Sequence, residues 1–145
     1  MSAPMRKPKP VAVRSSPSSP KETILLVEDE AFMRTFLSGI LDAKGYFVLS
    51  AVHGEDALAM SEGYASPIHL LVTDVMMPVM NGKELADRLC TLRPELKVLF
   101  ISGFSRKDVW PVDACEDQTD WLSKPFTGPV FHDKVRQILD SVRET

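Results

Sequence analysis

The 145-residue chain is poor in cysteine and contains no long hydrophobic run, and each absence narrows its possible roles. Its two cysteines, Cys90 and Cys115, form no metal-binding or redox motif, and they are most simply interpreted as free thiols in a reducing cytoplasm. No apolar stretch approaches the ~20 residues that cross a bilayer, and the N-terminus lacks the apolar segment of a secretory signal. The sequence therefore predicts a cytoplasmic protein.

The chain also carries little excess charge, because its formal net charge is −3. This value gives no reason to propose nucleic-acid binding. Hydrophobic residues make up 44% and charged residues 26% of the sequence, which is typical of a globular domain, and the length allows one domain with a substantial core. The charge is unevenly distributed, however. Residues 1–20 carry +4 and contain no acid, so the remaining 125 residues carry −7.

Residues 1–20 differ from the rest of the chain because they contain five prolines and five serines and show no apolar periodicity. This composition predicts a disordered tail or a linker, with the domain occupying residues 21–145. A basic transit peptide is an alternative, but the prolines argue against an amphipathic helix. The positive charge could hold the tail loosely against the acidic domain through contacts that salt would screen.

From residue 23 onward, short apolar segments alternate with segments of helical periodicity. Strands are predicted at residues 23–27, 46–51, 70–73, 97–102 and 118–123. Helical stripes lie within residues 32–41, 57–60, 85–92 and 130–142, with a weaker fourth helix expected within 104–117. Gly45 is predicted to end the first helix, and Asn81 and Thr127 are predicted N-caps. This alternation predicts a parallel sheet with helices on both faces and right-handed crossovers.

Residues with reactive side chains stand where the predicted strands end. Glu28 and Asp29 follow the first strand, Asp74 ends the third, Ser102 the fourth and Lys124 the fifth. The carboxyl ends of parallel strands share one edge, so these side chains can converge. Three carboxylates repel one another and Lys124 supplies only one positive charge, which indicates a hard divalent cation such as Mg²⁺. The alternative is that each acid caps the following helix, which leaves Lys124 and Ser102 unexplained.

This set of residues resembles the receiver domain of two-component response regulators. The resemblance runs from about residue 21 to the C-terminus and is carried by Glu28-Asp29, by Asp74 with Met76-Met77-Pro78 and Asn81-Gly82, by Ser102-Gly103, and by Lys124-Pro125-Phe126. It implies an α/β fold of the flavodoxin-like (βα)5 type, a three-layer sandwich whose five-stranded parallel sheet has the order 2-1-3-4-5.

The resemblance also implies a role for each residue of the acidic cluster. Asp74 would accept a phosphoryl group from a phosphohistidine and form an acyl phosphate. Mg²⁺ would be bound by Glu28, Asp29, Asp74 and the backbone carbonyl of Met76. Together with the cation, Lys124 would neutralise charge on the phosphoryl oxygens during transfer.

Three further roles are implied around this cluster. Ser102 would be the switch hydroxyl that moves to the phosphoryl group, and Trp121 stands where many receivers place a switching tyrosine or phenylalanine. Pro125 would follow a cis peptide bond that orients Lys124. Phosphorylation of Asp74 would thereby bias a two-state equilibrium of the fourth strand, the fourth helix and the fifth strand.

Other functions remain open at this point. A Mg²⁺-dependent phosphohydrolase of the haloacid-dehalogenase type normally has a second acid two residues after its nucleophile, where this chain has Met76. A phosphorylation-independent pseudo-receiver typically loses the acids or the lysine, which are all present here. We therefore expect no enzymatic activity beyond phosphorylation and dephosphorylation of the domain itself.

The resemblance implies partners as well. A histidine kinase or phosphotransfer protein would donate the phosphoryl group, and a downstream protein would read the phosphorylated state. A phosphorylation-dependent dimer could form through the fourth helix, the fifth strand and the fifth helix. We expect no output domain after the final helix, and hence a stand-alone regulator or the receiver of a hybrid histidine kinase, which residues 82–86 and 92–104 resemble.

Overall fold

A computed structural model describes residues 22–103 and 118–141 of the chain. These residues form five strands and four helices in the order β1 (Thr23–Val27), α1 (Ala31–Ala43), β2 (Phe47–Ala51), α2 (Gly54–Glu62), β3 (Leu70–Asp74), α3 (Gly82–Leu92), β4 (Lys97–Ser102), β5 (Thr119–Ser123) and α4 (Gly128–Asp140). The predicted tail at residues 1–20 and the predicted helix within residues 104–117 lie outside the described residues.

The five strands form one parallel sheet with the order β2-β1-β3-β4-β5. This order and the predicted α/β architecture are confirmed. Strands β1 and β3 occupy the interior of the sheet and are buried along their whole length, as expected for strands covered on both faces. Small differences affect the strand ends: β2 starts at Phe47, β3 includes Asp74, and β5 starts at Thr119.

Two hydrophobic cores form on opposite faces of the sheet because side chains alternate along each strand. On one face, Leu25 and Val27 of β1 pack in a cluster with residues of α2 and α3. On the other face, Ile24 and Leu26 pack in a cluster with residues of α1 and α4. Full burial of each such side chain contributes roughly 1.5–3 kcal/mol to the stability of the fold. Because successive side chains of β1 point to opposite faces, this one strand stabilises the packing of helices on both sides of the sheet.

The predicted helix ends are also present. Asn81 Oδ1 accepts a hydrogen bond from the backbone N–H of Glu84 at 2.9 Å, and Thr127 Oγ1 accepts one from Val130 at 3.3 Å. Gly45 follows α1 with a φ of 95°, a left-handed conformation that suits a residue without a Cβ atom.

The helical stripes are less completely buried than the periodicity predicts. Five apolar residues expected to face the core remain substantially exposed: Phe32 (77%), Phe36 (40%), Met60 (38%), Leu92 (67%) and Val130 (48%). A regular apolar spacing identifies the side of a helix that faces the sheet, but it does not say how far the neighbouring layer extends. These side chains lie outside the two hydrophobic cores.

The structure bears on the state of the cysteines and on the apolar character of the helices. Cys90 is disulfide-bonded in the structure, so the interpretation of this residue as a free thiol is wrong. Cys115 lies outside the described residues. Among the residues that the structure describes, no helix combines the length and the apolar character needed to span a bilayer.

Candidate functional site

Carboxylates from two strand ends meet at the carboxyl edge of the sheet. Glu28 directly follows β1 and Asp74 is the last residue of β3; both are buried, whereas the neighbouring Asp29 is exposed. One carboxylate oxygen from each of these three residues lies within 4.8 Å of the other two. Lys124, just after β5, places its Nζ atom 3.4 Å from Asp74 Oδ1. The structure therefore brings together four residues from three separate parts of the sequence.

The register of the sheet explains this convergence. Val27 lies beside Thr73, Asp74 beside Ile101, and Ser102 beside Ser123, so the neighbouring strands end at nearly the same level. The backbone N–H of Lys124 donates to the carbonyl of Ser102 at 2.8 Å, which joins the two strands just beyond the last residue pair. Ser102 is itself buried at the end of β4.

The electrostatics of the site are set by two buried acids. Burial raises the pKa of Glu28 to about 8, and the hydrogen bond and negative charge of Asp74 contribute in the same direction. Burial also raises the pKa of Asp74, although the hydrogen bond with Glu28 and the positive charge of Lys124 partly oppose this shift. Glu28 therefore holds a proton at neutral pH, which it shares with Asp74 through their hydrogen bond, chiefly because burial disfavours the charged form of Glu28.

The donor atoms of the cluster fit a hard divalent cation. Asp74 Oδ1 is buried and, among the described residues, has no hydrogen-bond partner, since its 3.4 Å contact with Lys124 is an ion pair without hydrogen-bond geometry. A buried acceptor left in this state is costly. Carboxylate oxygens are the ligands that Mg²⁺ prefers, and a bound cation would satisfy this oxygen and replace the shared proton.

Helix capping does not account for the acids. The N-cap residue of α1 is Glu30, which makes no side-chain capping bond, and the N-cap of α3 is Asn81. Neither Asp29 nor Asp74 occupies a cap position, so the capping alternative is wrong for both residues. Glu28 Oε2 does accept the backbone N–H of Glu30 at 3.1 Å, which fixes the orientation of its carboxylate.

The remaining predicted site residues differ in their burial and in their backbone geometry. Trp121 lies beside Phe100 in the sheet, and the two rings stack with their centroids 4.6 Å apart against the core on the α2 and α3 side. The side chain of Met76 is 60% exposed. The peptide bond between Lys124 and Pro125 is cis.

Three further features had not been assigned from the sequence. Arg34 of α1 donates from Nη1 to the carbonyl of Glu28 at 2.7 Å, and no sequence pattern indicates this contact. A Cβ atom on Gly82 would lie 2.2 Å from the carbonyl oxygen of Asp74, so this glycine permits α3 to begin directly against the acidic residue. The glycine directly after the predicted cap Asn81 is the sequence feature that signals this close approach.

Val79 is the third feature. Its φ is 70°, and the N–H of Met80 donates to the carbonyl of Pro78 at 2.7 Å across it, which makes a strained γ-turn between β3 and α3. The Val79 side chain is 91% exposed, so no packing contact compensates the strain. The turn directs Met80 inward, where its side chain is buried against Gly54.

Comparisons with known proteins agree with this geometry. The family model of the response regulator receiver domain matches residues 24–136. The response regulator receiver protein CpdR of Brucella abortus (strain 2308) is 40% identical over 103 residues, which cover 71% of this chain and 84% of CpdR. The sensor kinase CckA of the same strain is 34% identical over 122 residues, 81% of this chain but 12% of that kinase.

Solved structures give the same result. The receiver domain of the hybrid histidine kinase CckA superposes with a TM-score of 0.69 at 34% identity, covering 81% of this chain and 99% of that domain. A CheY-like receiver domain protein from Methanospirillum hungatei JF-1 superposes with a TM-score of 0.73 at 27% identity, covering 83% and 95%. Accepting a phosphoryl group in two-component signalling is the function of this family, and receiver domains bind Mg²⁺ in their acidic pocket. With its parallel sheet, its acidic cluster and these relatives, the chain belongs to the response regulator receiver family.

Proposed function

We propose that Asp74 is the residue that accepts the phosphoryl group. The observation that carries this proposal is the position of its carboxylate, which is buried at the end of β3 with one oxygen lacking a hydrogen-bond donor and 3.4 Å from Lys124 Nζ. In the transfer, a carboxylate oxygen of Asp74 attacks phosphorus, the phosphorus–nitrogen bond of a phosphohistidine breaks, and the freed imidazole retains the electron pair.

The metal proposed for this site is Mg²⁺, held by Glu28, Asp29 and Asp74 together with the backbone carbonyl of Met76. When bound, Mg²⁺ supplies positive charge that stabilises the phosphoryl oxygens during transfer. The shared proton and the unsatisfied oxygen of the cluster support this assignment.

Lys124 and Ser102 would act on the phosphoryl group once it is present. The ammonium group of Lys124 is already adjacent to Asp74 and would pair with a phosphoryl oxygen. Ser102 lies one strand away, and its hydroxyl would donate to the same group. Because Trp121 is stacked on Phe100, a switching role for this residue requires the loss of that stacking contact.

The phosphodonor proposed here is a histidine kinase or a phosphotransfer protein, and a downstream protein would respond to the phosphorylated form. We also propose a cytoplasmic location and a phosphorylation-dependent dimer through the face that includes β5 and α4. The phosphohydrolase alternative receives no support from the site, because the position two residues after Asp74 is the exposed Met76 rather than an acid.

Incubation with acetyl phosphate and Mg²⁺ tests the assignment of Asp74. Intact-mass measurement should detect one added phosphoryl group on the wild type and on Asp42→Asn, an exposed control on α1, and none on Asp74→Asn. Chelation of Mg²⁺ should prevent the modification. An Asp74→Asn protein that is still modified would show that another residue is the acceptor.

Lys124→Ala separates the role of the lysine from that of the metal ligands. We expect this variant to bind Mg²⁺ with nearly unchanged affinity but to be phosphorylated more slowly, since the lysine contacts the phosphoryl group rather than the cation. Loss of Mg²⁺ binding, measured by titration calorimetry, would contradict this division of roles. Sustained turnover of a phosphomonoester would favour the phosphohydrolase instead.

A further inference from the structure

A groove lies between helices α2 and α3, on the face of the sheet opposite α1 and α4. It has a volume of about 550 Å³ and is lined by Leu58, Glu62, Asp87, Arg88, Thr91 and Leu92. None of the residues of the acidic cluster lines it. The groove is therefore a surface that phosphorylation of Asp74 does not use directly.

The groove combines exposed apolar surface with an unsatisfied acceptor. The Leu92 side chain is 67% exposed at the C-terminal end of α3, and Leu58 is only partly buried. Asp87 Oδ2 pairs with Lys83 Nζ at 2.8 Å, whereas its Oδ1 atom is buried and has no hydrogen-bond partner among the described residues. An occupant with apolar groups and hydrogen-bond donors would cover the exposed leucine side chains and donate a hydrogen bond to Asp87 Oδ1.

The charge of the groove indicates the sign of that occupant. Arg88 is already paired with Glu84 at 2.9 Å, and Lys83 is paired with Asp87. Glu62 is exposed and forms no ion pair within residues 22–103 and 118–141. The groove therefore has an uncompensated carboxylate beside its apolar surface and fits a cationic segment.

The N-terminal segment leaves the domain next to this groove. The N–H of Thr23, the first residue of β1, donates to His69 Nδ1 at 2.9 Å, and its hydroxyl lies 3.2 Å from the hydroxyl of Tyr64. Tyr64 comes shortly after α2, and its carbonyl accepts a hydrogen bond from Arg93, the residue that follows α3. The start of β1 is thus connected to the ends of α2 and α3 where Glu62 and Leu92 lie.

We propose that residues 1–20 bind in this groove. The segment carries +4 without an acid, and its residues Val11-Ala12-Val13 are flanked by Lys9 and Arg14, so it offers apolar side chains between cations. Twenty residues reach up to ~60 Å in an extended proline-rich conformation, which is longer than either α2 or α3. Because the segment is tethered, its effective concentration is on the order of millimolar, and weak contacts are sufficient.

This contact would make the N-terminal segment a built-in competitor for the α2–α3 groove. A protein that binds the groove must displace the segment. Its apparent dissociation constant is therefore the intrinsic constant divided by the fraction of molecules in which the groove is free. The proposal does not depend on the phosphorylation chemistry, because it concerns a different face of the domain.

The test compares the full chain with a full-length variant in which the four cations of the segment are changed to glutamine (Arg6→Gln, Lys7→Gln, Lys9→Gln and Arg14→Gln). We expect backbone amide NMR shifts to differ on α2 and α3, around Leu58 and Leu92, and to be unchanged on α1 and α4. Raising the salt concentration should move the wild-type spectrum toward that of the variant. Shift differences absent from α2 and α3, or centred on α1 and α4, would overturn the proposal.

Two substitutions on the domain complete the test. Glu62→Lys should abolish the shift differences, whereas Asp42→Lys, an equally exposed charge reversal on α1, should preserve them. Both side chains are on the surface, and equal melting temperatures would show that the variants fold. Differences that grow with protein concentration would mean that the segment binds a second copy, and this result would also overturn the proposal.

Discussion

Replacing Glu28 by glutamine should remove most of the dependence of the stability of the metal-free domain on pH. Burial, together with Asp74, raises the pKa of Glu28 from 4.5 to about 8 in the folded state. Between these values the folded protein holds a proton that the unfolded chain has released. The free energy of unfolding therefore falls as pH rises across this window, by up to about 1.4 kcal/mol per pH unit for one proton.

The expected magnitude is large enough to measure by thermal denaturation. Between about pH 5.5 and about pH 7.5, the metal-free wild type should lose up to roughly 3 kcal/mol. For a domain of this size, that loss corresponds to a decrease of roughly 10 °C in melting temperature. Glu28→Gln cannot lose a proton, so its melting temperature should change much less. Glu30→Gln is the matched control, because Glu30 is exposed and lies outside the acidic cluster.

Mg²⁺ provides a second arm of the same experiment. A saturating cation bound by deprotonated carboxylates replaces the shared proton, so the decrease in stability between these pH values should disappear for the wild type. The same pH dependence for the wild type and Glu28→Gln without metal would show that the pKa of Glu28 is not raised by folding. A stability that rises with pH in this range would equally contradict the prediction, because that sign requires a carboxyl group whose pKa is lowered by folding.

Three further substitutions probe local structure, each measured by urea denaturation. Arg93→Ala removes hydrogen bonds to three backbone carbonyls and one hydroxyl in the last turn of α2 and just after it, and should cost about 2–4 kcal/mol. Arg88→Ala removes only a surface pair and should cost under about 1 kcal/mol, so equal losses would contradict this ranking. Val79→Asn should stabilise by about 1 kcal/mol, because asparagine tolerates the positive φ better and the valine side chain makes little contact; a loss would mean that the side chain has an unseen role. Gly82→Ala should cost at least about 3 kcal/mol, since its Cβ would overlap the carbonyl oxygen of Asp74, and a neutral result would disprove that close approach.

The fold could be predicted from the sequence because the signals for the sheet are local and repeated. Each strand is a short apolar run with a polar residue at its end, and β1 and β4 have the predicted bounds. The strand order required the family resemblance, since alternation alone does not determine which strands are neighbours. Residues 104–117 lie outside the described residues, so the helix predicted within this range, between β4 and β5, stays a prediction.

The sequence predicts which residues form the site, but it does not predict the protonation of the acids. The strand-end positions of Asp74 and Lys124 indicated that they would meet, because parallel strands share an edge. The proton shared by Glu28 and Asp74 depends on burial, which sequence spacing does not report. The same limit applies to Phe32 and Leu92, which the apolar spacing predicts to be buried and the structure leaves exposed.

The contact between Gly82 and β3 has a mechanical consequence. The N–H of Gly82 donates to the carbonyl of Val75 at 2.8 Å, and the glycine Cα lies against the Asp74 backbone, so the start of α3 and the end of β3 form one stiff unit. A group added to the Asp74 side chain cannot tilt α3 without breaking this joint. We expect the compliant direction to be the other side of the strand, toward β4 and β5, where the backbone N–H of Lys124 donates to the carbonyl of Ser102 beyond the last strand pair. We therefore expect any displacement that starts at Asp74 to travel across the sheet toward β5, while α3 remains fixed to its strand.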